Sequence, residues 1–232
     1  MNYRIVTSGI SRSFADRHRL LDNASASGPV AIVIGDDIAA GLESLGELGA
    51  YTAVLLELRH ECLGVHTGEA RGGEGSHVLG FARYRIGEDA PSELVELVRQ
   101  PATRASALDA AKQVLAAAGL QVAVCSDVPG RIIDRLVRPY YNAALRRLDE
   151  GLASAADMDT TLKLGLGYPE GPIGLLERSG LHHHFDVTQA LYEATGDAAY
   201  APARRARVAK QRRAPPPSNR QPLYRRVKDG SD

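Results

Sequence analysis

The chain has 232 residues, no tryptophan, three phenylalanines and two cysteines, Cys62 and Cys125. Two cysteines without an export signal read as free thiols rather than as a disulfide. The opening residues, "MNYRIVTSGISRSFADRHR", lack the apolar stretch of a signal peptide, which leads to the expectation of a cytoplasmic protein. No apolar run approaches the roughly 18 residues of a membrane span, so no membrane partner is expected. Net charge is also missing, because 28 basic and 28 acidic residues balance. That balance hides an asymmetry. Residues 201–232 hold 10 Lys+Arg against 2 Asp+Glu, and the first 200 residues hold 18 against 26. An acidic body argues against nucleic acid as a partner. The tail, with Arg204, Arg205, Arg207, Lys210, Arg212 and Arg213, is suited to an anion, whether an acidic partner or CoA phosphates, or simply to solvent.

Hydrophobic residues make up 44% of the chain, enough for a sizeable core. Residues 30–34 read as a buried strand closed by Gly35, followed by a helix from Asp36 to Leu48. Residues 52–56 read as a second strand. Residues 58–77 are glycine-rich and polar and read as a loop. Residues 78–86 and 93–98 are strand-like, 103–118 form a helix stopped by Gly119, and 121–125 form another strand. Residues 1–27 are weakly patterned. After Asp127-Val128-Pro129-Gly130 only helical periodicity follows, through residue 212. Ile132, Ile133, Leu136, Val137, Tyr140, Tyr141, Ala144, Leu145 and Leu148 make an apolar stripe. Ser154 to Asp157 opens the next helix as a capping-box variant. Residues 165–174 are a turn-rich connector, and residues 181–195 form a helix stopped by Gly196. The alternation gives a fold class of α/β then all-α. The domains expected are an α/β unit over 1–127, a helical unit over 128–202 and a mobile basic tail over 203–232.

The helical half, "SDVPGRIIDRLVRPYYNAALRRLDEGLASAADMDTTLKLGLGYPEGPIGLLERSGL", resembles the C-terminal domain of 3-hydroxyacyl-CoA dehydrogenases. The family pattern there runs D-x-P-G-F-I-x-N-R-L, then P-Y-x-x-E-A, D-I-D and K-x-G-x-x-x-P-x-G-P. Upstream, "ELVELVRQPATRASALDAAKQVLAAAGLQVAV" resembles the family's last Rossmann strands and helix. The resemblance covers about residues 78–200. It implies a shortened Rossmann-like domain before the helical domain, like the reduced Rossmann of 3-hydroxybutyryl-CoA dehydrogenases. Acyl-CoA is the implied ligand. A homodimer, or pairing with a full-length dehydrogenase, is the implied assembly.

The dinucleotide fingerprint G-x-G-x-x-G needs its second glycine so that the backbone can approach the pyrophosphate. In "VAIVIGDDIAAG", Gly35 holds the first place, Asp37 the second and Ala40 the third. A carboxylate at about 5 Å from a phosphate charge costs roughly 3 kcal/mol at an effective dielectric of about 20. Glu57, at a strand end 22 residues after Gly35, stands where a ribose-binding acid would sit, although an exposed strand-end glutamate is the plainer reading.

The family reaction moves a hydride between the substrate's C3 and a nicotinamide, with a histidine as base, a glutamate that orients it, and a serine and an asparagine that position substrate. At the histidine's place this chain has Ala82, or Tyr84 if the spacing to the glutamate is kept. Glu96 takes the glutamate position, and Asp134 takes the asparagine position. No serine counterpart precedes Ala82. The plainer reading of Asp134 is an i, i+4 pair with Arg138 on a solvated helix face. The expectation is therefore a family member without a nicotinamide cofactor that binds acyl-CoA or pairs with an active subunit. NAD enters only under the alternative, an active dehydrogenase with an altered site. His60, Glu61, Cys62, His66 and Glu69 are metal-capable residues without a familiar zinc spacing, so no metal site is expected. His66 is instead a candidate substrate contact in a loop lining the cleft, as is Tyr84. His182, His183 and His184 read as a partly exposed helix end.

Overall fold

A computed structural model describes residues 1–69 and 76–213. Six strands form one sheet: β1 (Tyr3–Thr7), β2 (Val30–Ile34), β3 (Ala53–Glu57), β4 (Val78–Arg83), β5 (Leu94–Arg99) and β6 (Gln121–Ser126). They lie side by side in chain order, parallel throughout except for the antiparallel β4–β5 pair. The apolar runs of β2 and β3 are continuous because both faces of the sheet are covered. Val30, Ile32 and Ile34 pack with Leu55, Leu97 and Leu115 on one face. Ala31 and Val33 pack with Val54, Leu56, Ile38 and Leu45 on the other. β1 went unread in the sequence because Arg4 interrupts its short apolar run and it lies at the sheet edge, where such charges are common.

Helical segments α1 (Arg19–Asp22), α2 (Ile38–Leu45), α3 (Gly64–Thr67) and α4 (Ala105–Ala117) join these strands. α2 is shorter than the 36–48 expected. Asp37 caps its start by accepting from the Ala40 amide, and Gly46, at φ +74°, ends it. α4 stops where Gly119 adopts φ +86°.

The helical half comprises α5 (Ile133–Asp149), α6 (Ala155–Leu166), α7 (Pro172–Ser179), α8 (Leu181–Thr195) and α9 (Arg204–Arg213). The Ser154 cap is present, its side chain accepting from the Asp157 amide. Leu145, Ile173 and Leu176 form the core between α5 and α7. Two expectations are corrected here. Leu136, assigned to the apolar stripe, is exposed, and the buried face of α5 begins instead with Asp134, Arg138 and Asn142. Residues 204–213, expected to be mobile tail, are helical and docked. Arg205 pairs with Asp149 at 2.6 Å, Lys210 pairs with Asp186 at 2.6 Å, and Arg207 lies over the Phe185 ring. Residues 214–232, including the proline-rich stretch, lie outside the described residues.

Candidate functional site

The carboxyl ends of β1 to β4 face the start of α5, and two adjoining cavities lie there. The outer cleft, about 810 Å³, is lined in part by Ile5, Phe14, Ile34, Arg12, Arg59 and Arg85. The inner cavity, about 20 Å³, shares those three arginines and adds Glu96, Arg131 and Asp134.

Glu96 is 2% exposed on β5. Its Oε1 accepts from the amides of Ile132 at 2.9 Å and Ile133 at 2.8 Å, and its Oε2 accepts from Arg131 Nε at 3.3 Å. The start of α5 has no side-chain cap of its own at Ile132, so Glu96 supplies one from β5. In the antiparallel register the residue opposite Glu96 is Ala82. Tyr84 lies just past the end of β4 and lines the inner cavity. Burial pushes its phenol well above the usual range, so it is a poorer base than an ordinary tyrosine.

Asp134 and Arg138 do form the i, i+4 pair, at 2.7 Å, but the pair is buried rather than solvated. The contacts that bury it come from α8, distant in sequence. Arg138 Nη1 donates to His184 Nδ1 at 3.2 Å. Arginine only donates, so the His184 proton sits on Nε2, which gives it to Asn142 Oδ1 at 3.0 Å. Asn142 Nδ2 donates in turn to Ala199 O. Burial pushes Asp134 up, but the charge and hydrogen bond of Arg138 prevail and hold it below the usual carboxylate range. His184, expected at a partly exposed helix end, is therefore a core residue. Burial and then the Arg138 charge push it down to about 3.

Glu57 departs from the exposed strand-end reading. It is 1% exposed, not a strand-end surface acid. Its Oε2 accepts from the Gly35 amide at 2.8 Å and its Oε1 from the Ser13 amide at 2.6 Å. Gly35, at φ +123°, packs so closely on Ser8 that a Cβ would lie 1.9 Å from Ser8 O. Asp36 accepts from the Ile10 amide at 2.8 Å, so the loop ahead of α2 already carries its own carboxylates.

His66 lies in α3 with its Nε2 3.4 Å from Glu61 Oε1, and it lines neither cavity. Burial pushes the Glu61 carboxyl up, but hydrogen bonds from His66 and the nearby backbone outweigh it and hold it down to about 2. The described loop residues that do reach the inner cavity are Leu58, Arg59 and His60. Burial pushes His60 down to about 4. Among the described residues no group of three or more His, Cys, Asp or Glu side chains is placed to hold a metal.

Residues 130–221 match the model of the 3-hydroxyacyl-CoA dehydrogenase C-terminal domain. A 3-hydroxybutyryl-CoA dehydrogenase of Bradyrhizobium diazoefficiens is 38% identical over 110 residues, 47% of this chain and 38% of that protein. The mitochondrial hydroxyacyl-coenzyme A dehydrogenase of Homo sapiens is 40% identical over 89 residues, 38% of this chain and 28% of that one. Residues 130–221 thus carry the 3-hydroxyacyl-CoA dehydrogenase C-terminal domain. The chain spans well under half the length of these relatives. Among solved structures, 3-hydroxybutyryl-CoA dehydrogenase from Escherichia coli K12 superposes with a TM-score of 0.65 at 24% identity, covering 84% of this chain and 40% of that one. The (S)-3-hydroxybutyryl-CoA dehydrogenase of Ralstonia eutropha gives 0.65 at 22% identity, covering 80% and 68%. These likenesses establish the fold: a Rossmann-like sheet followed by a helical domain.

Across the antiparallel pair Ala82 stands directly opposite Glu96, while Tyr84 lies beyond the paired residues of β4. Arg131 was overlooked in the sequence, although the family motif has phenylalanine after the proline-glycine pair. It adopts φ +53°, unusual for a residue with a side chain, and it lines the inner cavity.

Two neutral histidines, His184 buried and His60 half-buried, set a pH dependence. Both fold with pKa values below the ordinary 6.5, so below that pH the unfolded chain binds more protons. Stability is full above about pH 6.5 and falls as pH drops towards 4. Urea unfolding should show a loss of about 2 kcal/mol between pH 7 and 5.5. A midpoint that stays fixed over that interval would count against neutral rings.

Proposed function

We propose that this chain is an accessory member of the 3-hydroxyacyl-CoA dehydrogenase family, one that binds an acyl-CoA and associates through its helical domain without hydride chemistry of its own. The observation that carries this reading is Ala82 opposite a Glu96 whose two oxygens are engaged by the start of α5. With no titratable group at Ala82, the 3-hydroxyl has no base there, and Glu96 has no ring to orient.

A nicotinamide dinucleotide does not fit the loop after β2. The Gly35 amide, which a pyrophosphate would need, already donates to Glu57, and the Ser8 backbone lies against Gly35. Asp36 and Asp37 add negative charge at the same place, with Asp37 engaged as the cap of α2. Among the described strands the order runs without reversal, so no topological switch point opens beside β2. Gly35, Asp37 and Glu57 are on this reading a closed structural turn, while Glu96 and Asp134 are structural carboxylates at family positions. The enzyme alternative has one observation in its favour. His60, a neutral imidazole, lines the same inner cavity as Glu96, although a pKa of about 4 makes it a weak base.

Association through a second copy is supported by α6, which has no buried residue, and by the exposure of Leu152, Leu164 and Leu166 around it. The helical domain also lies in the part of the chain that matches the family model. No helix of the described residues is long and apolar enough to cross a membrane.

Calorimetric titration of the full chain with NADH and with acetoacetyl-CoA, beside sedimentation of the same sample, tests the proposal. Binding of the CoA ester without NADH, by a sedimenting dimer, is the expected result. Micromolar NADH binding with turnover would replace it by the enzyme reading, and a monomer would remove the second copy.

A further inference from the structure

The arginines around the two cavities differ in how well they are satisfied. Arg83 donates to Ser13 O, Pro91 O and Ser92 O. Arg138 is held by Asp134 and His184. Arg12 instead makes a single hydrogen bond, from Nη2 to Arg85 O at 3.1 Å, and no ion pair among the described residues. Burial and the neighbouring Arg85 lower its pKa, as expected for a cation without a counter-charge in contact. Arg131 is 6% exposed, and its Nη1 is buried with no hydrogen-bond partner among the described residues. That atom belongs to a residue that lines the inner cavity and is held at φ +53°. A strained backbone and a buried donor without an acceptor at one residue point to a missing anionic or polar group.

The outer cleft supplies the other half of the recognition. Beside Arg12, Arg59 and Arg85 its wall includes Ile5, Phe14, Leu21 and Ile34. Asp36 and Glu88 line it as well, which penalises a multiply charged head and favours a single negative charge.

We propose that this cleft binds an amphiphilic carboxylate. Its apolar body lies along Ile5, Phe14, Leu21 and Ile34, and its carboxylate takes the open donors of Arg12, flanked by Arg59 and Arg85. The inner cavity, about 20 Å³, has room for one water that passes a hydrogen bond from Arg131 Nη1 to the head group. This ligand needs neither a CoA moiety nor a thioester, so the inference goes beyond the proposed function.

The test is calorimetric titration of the full chain with sodium octanoate at neutral pH. Saturable binding is expected, weakened about tenfold in Arg12→Gln and by less in Arg12→Lys, which keeps the charge but loses the planar fork. Octylamine, of the same length and opposite charge, should not bind, and inorganic phosphate should not displace octanoate. Absence of saturable octanoate binding by the wild type overturns the proposal. So does unchanged affinity in folded Arg12→Gln or Arg12→Lys, equal binding of octylamine, or displacement by phosphate. A chain that binds acetoacetyl-CoA but not octanoate keeps the proposed function and loses this inference, and the opposite pattern does the reverse.

Discussion

Glu96→Ala should destabilise the chain by about 3–5 kcal/mol, the range for removing one partner of a buried pair. Three donors converge on this carboxylate: the Ile132 and Ile133 amides and Arg131 Nε. Alanine would leave two amides at the start of α5 without acceptors and a buried guanidinium without its counter-charge. Each unsatisfied amide alone costs about 1–3 kcal/mol. Because Glu96 sits on β5 and its donors lie at the start of α5, the loss should also loosen the helical half from the sheet. Urea unfolding measures the first effect, and faster amide exchange at the start of α5 measures the second. Glu96→Gln keeps an acceptor for the amides and should lose roughly half as much. A change under about 1 kcal/mol in Glu96→Ala would mean that the carboxylate does not hold the two halves together.

The second large effect is expected at Asp134. Arg138 is 2% exposed, and its charge-bearing partner at contact distance is Asp134, 2.7 Å away. Asp134→Ala leaves that charge in the core, again at about 3–5 kcal/mol. Asp134→Asn, which writes in the family's residue, retains an oxygen for Arg138 Nε but not the charge, and should lose about half of that. Replacing both members, as in Asp134→Leu with Arg138→Met, should recover much of the loss, since a well-packed apolar pair removes the desolvation burden. A double-mutant cycle from urea midpoints reads the coupling. Strictly additive single changes would show that the pair is not what holds Arg138 in place.

These two carboxylates also mark the limit of what the sequence discloses. β2, β3, β5 and β6 announce themselves as short apolar runs, and α4 and α8 are bounded by Gly119 and Gly196 as read. The Asp134–Arg138 pairing follows from helical spacing alone. Its burial does not, because the residues that cover it, His184 and Asn142, come from a helix 46 residues on and from two turns further along α5. An amphipathic pattern assigns polar residues to the outside, and here a satisfied polar chain lies inside while Leu136 lies out. Glu57 misled for the same reason. Its strand-end position is visible in the sequence, but the two amides that donate to it, of Gly35 and Ser13, belong to loops whose approach only the folded sheet determines. Arg131 left a trace that family comparison alone exposes: a cation where the motif has phenylalanine.

The clasp between Glu57 and Gly35 bears on how this sequence can change. Replacing Asp37 by glycine, the obvious repair of the fingerprint, removes the side-chain cap of α2 at a few tenths of a kcal/mol and gains nothing while Glu57 still fills the amide. Replacing Glu57 alone strands the Gly35 and Ser13 amides before any phosphate can compensate them. Each step towards a dinucleotide pocket is thus uphill without the other. The turn behaves as an epistatic ratchet, and a library of single substitutions at this loop would find neighbours that are less stable but none that bind the cofactor.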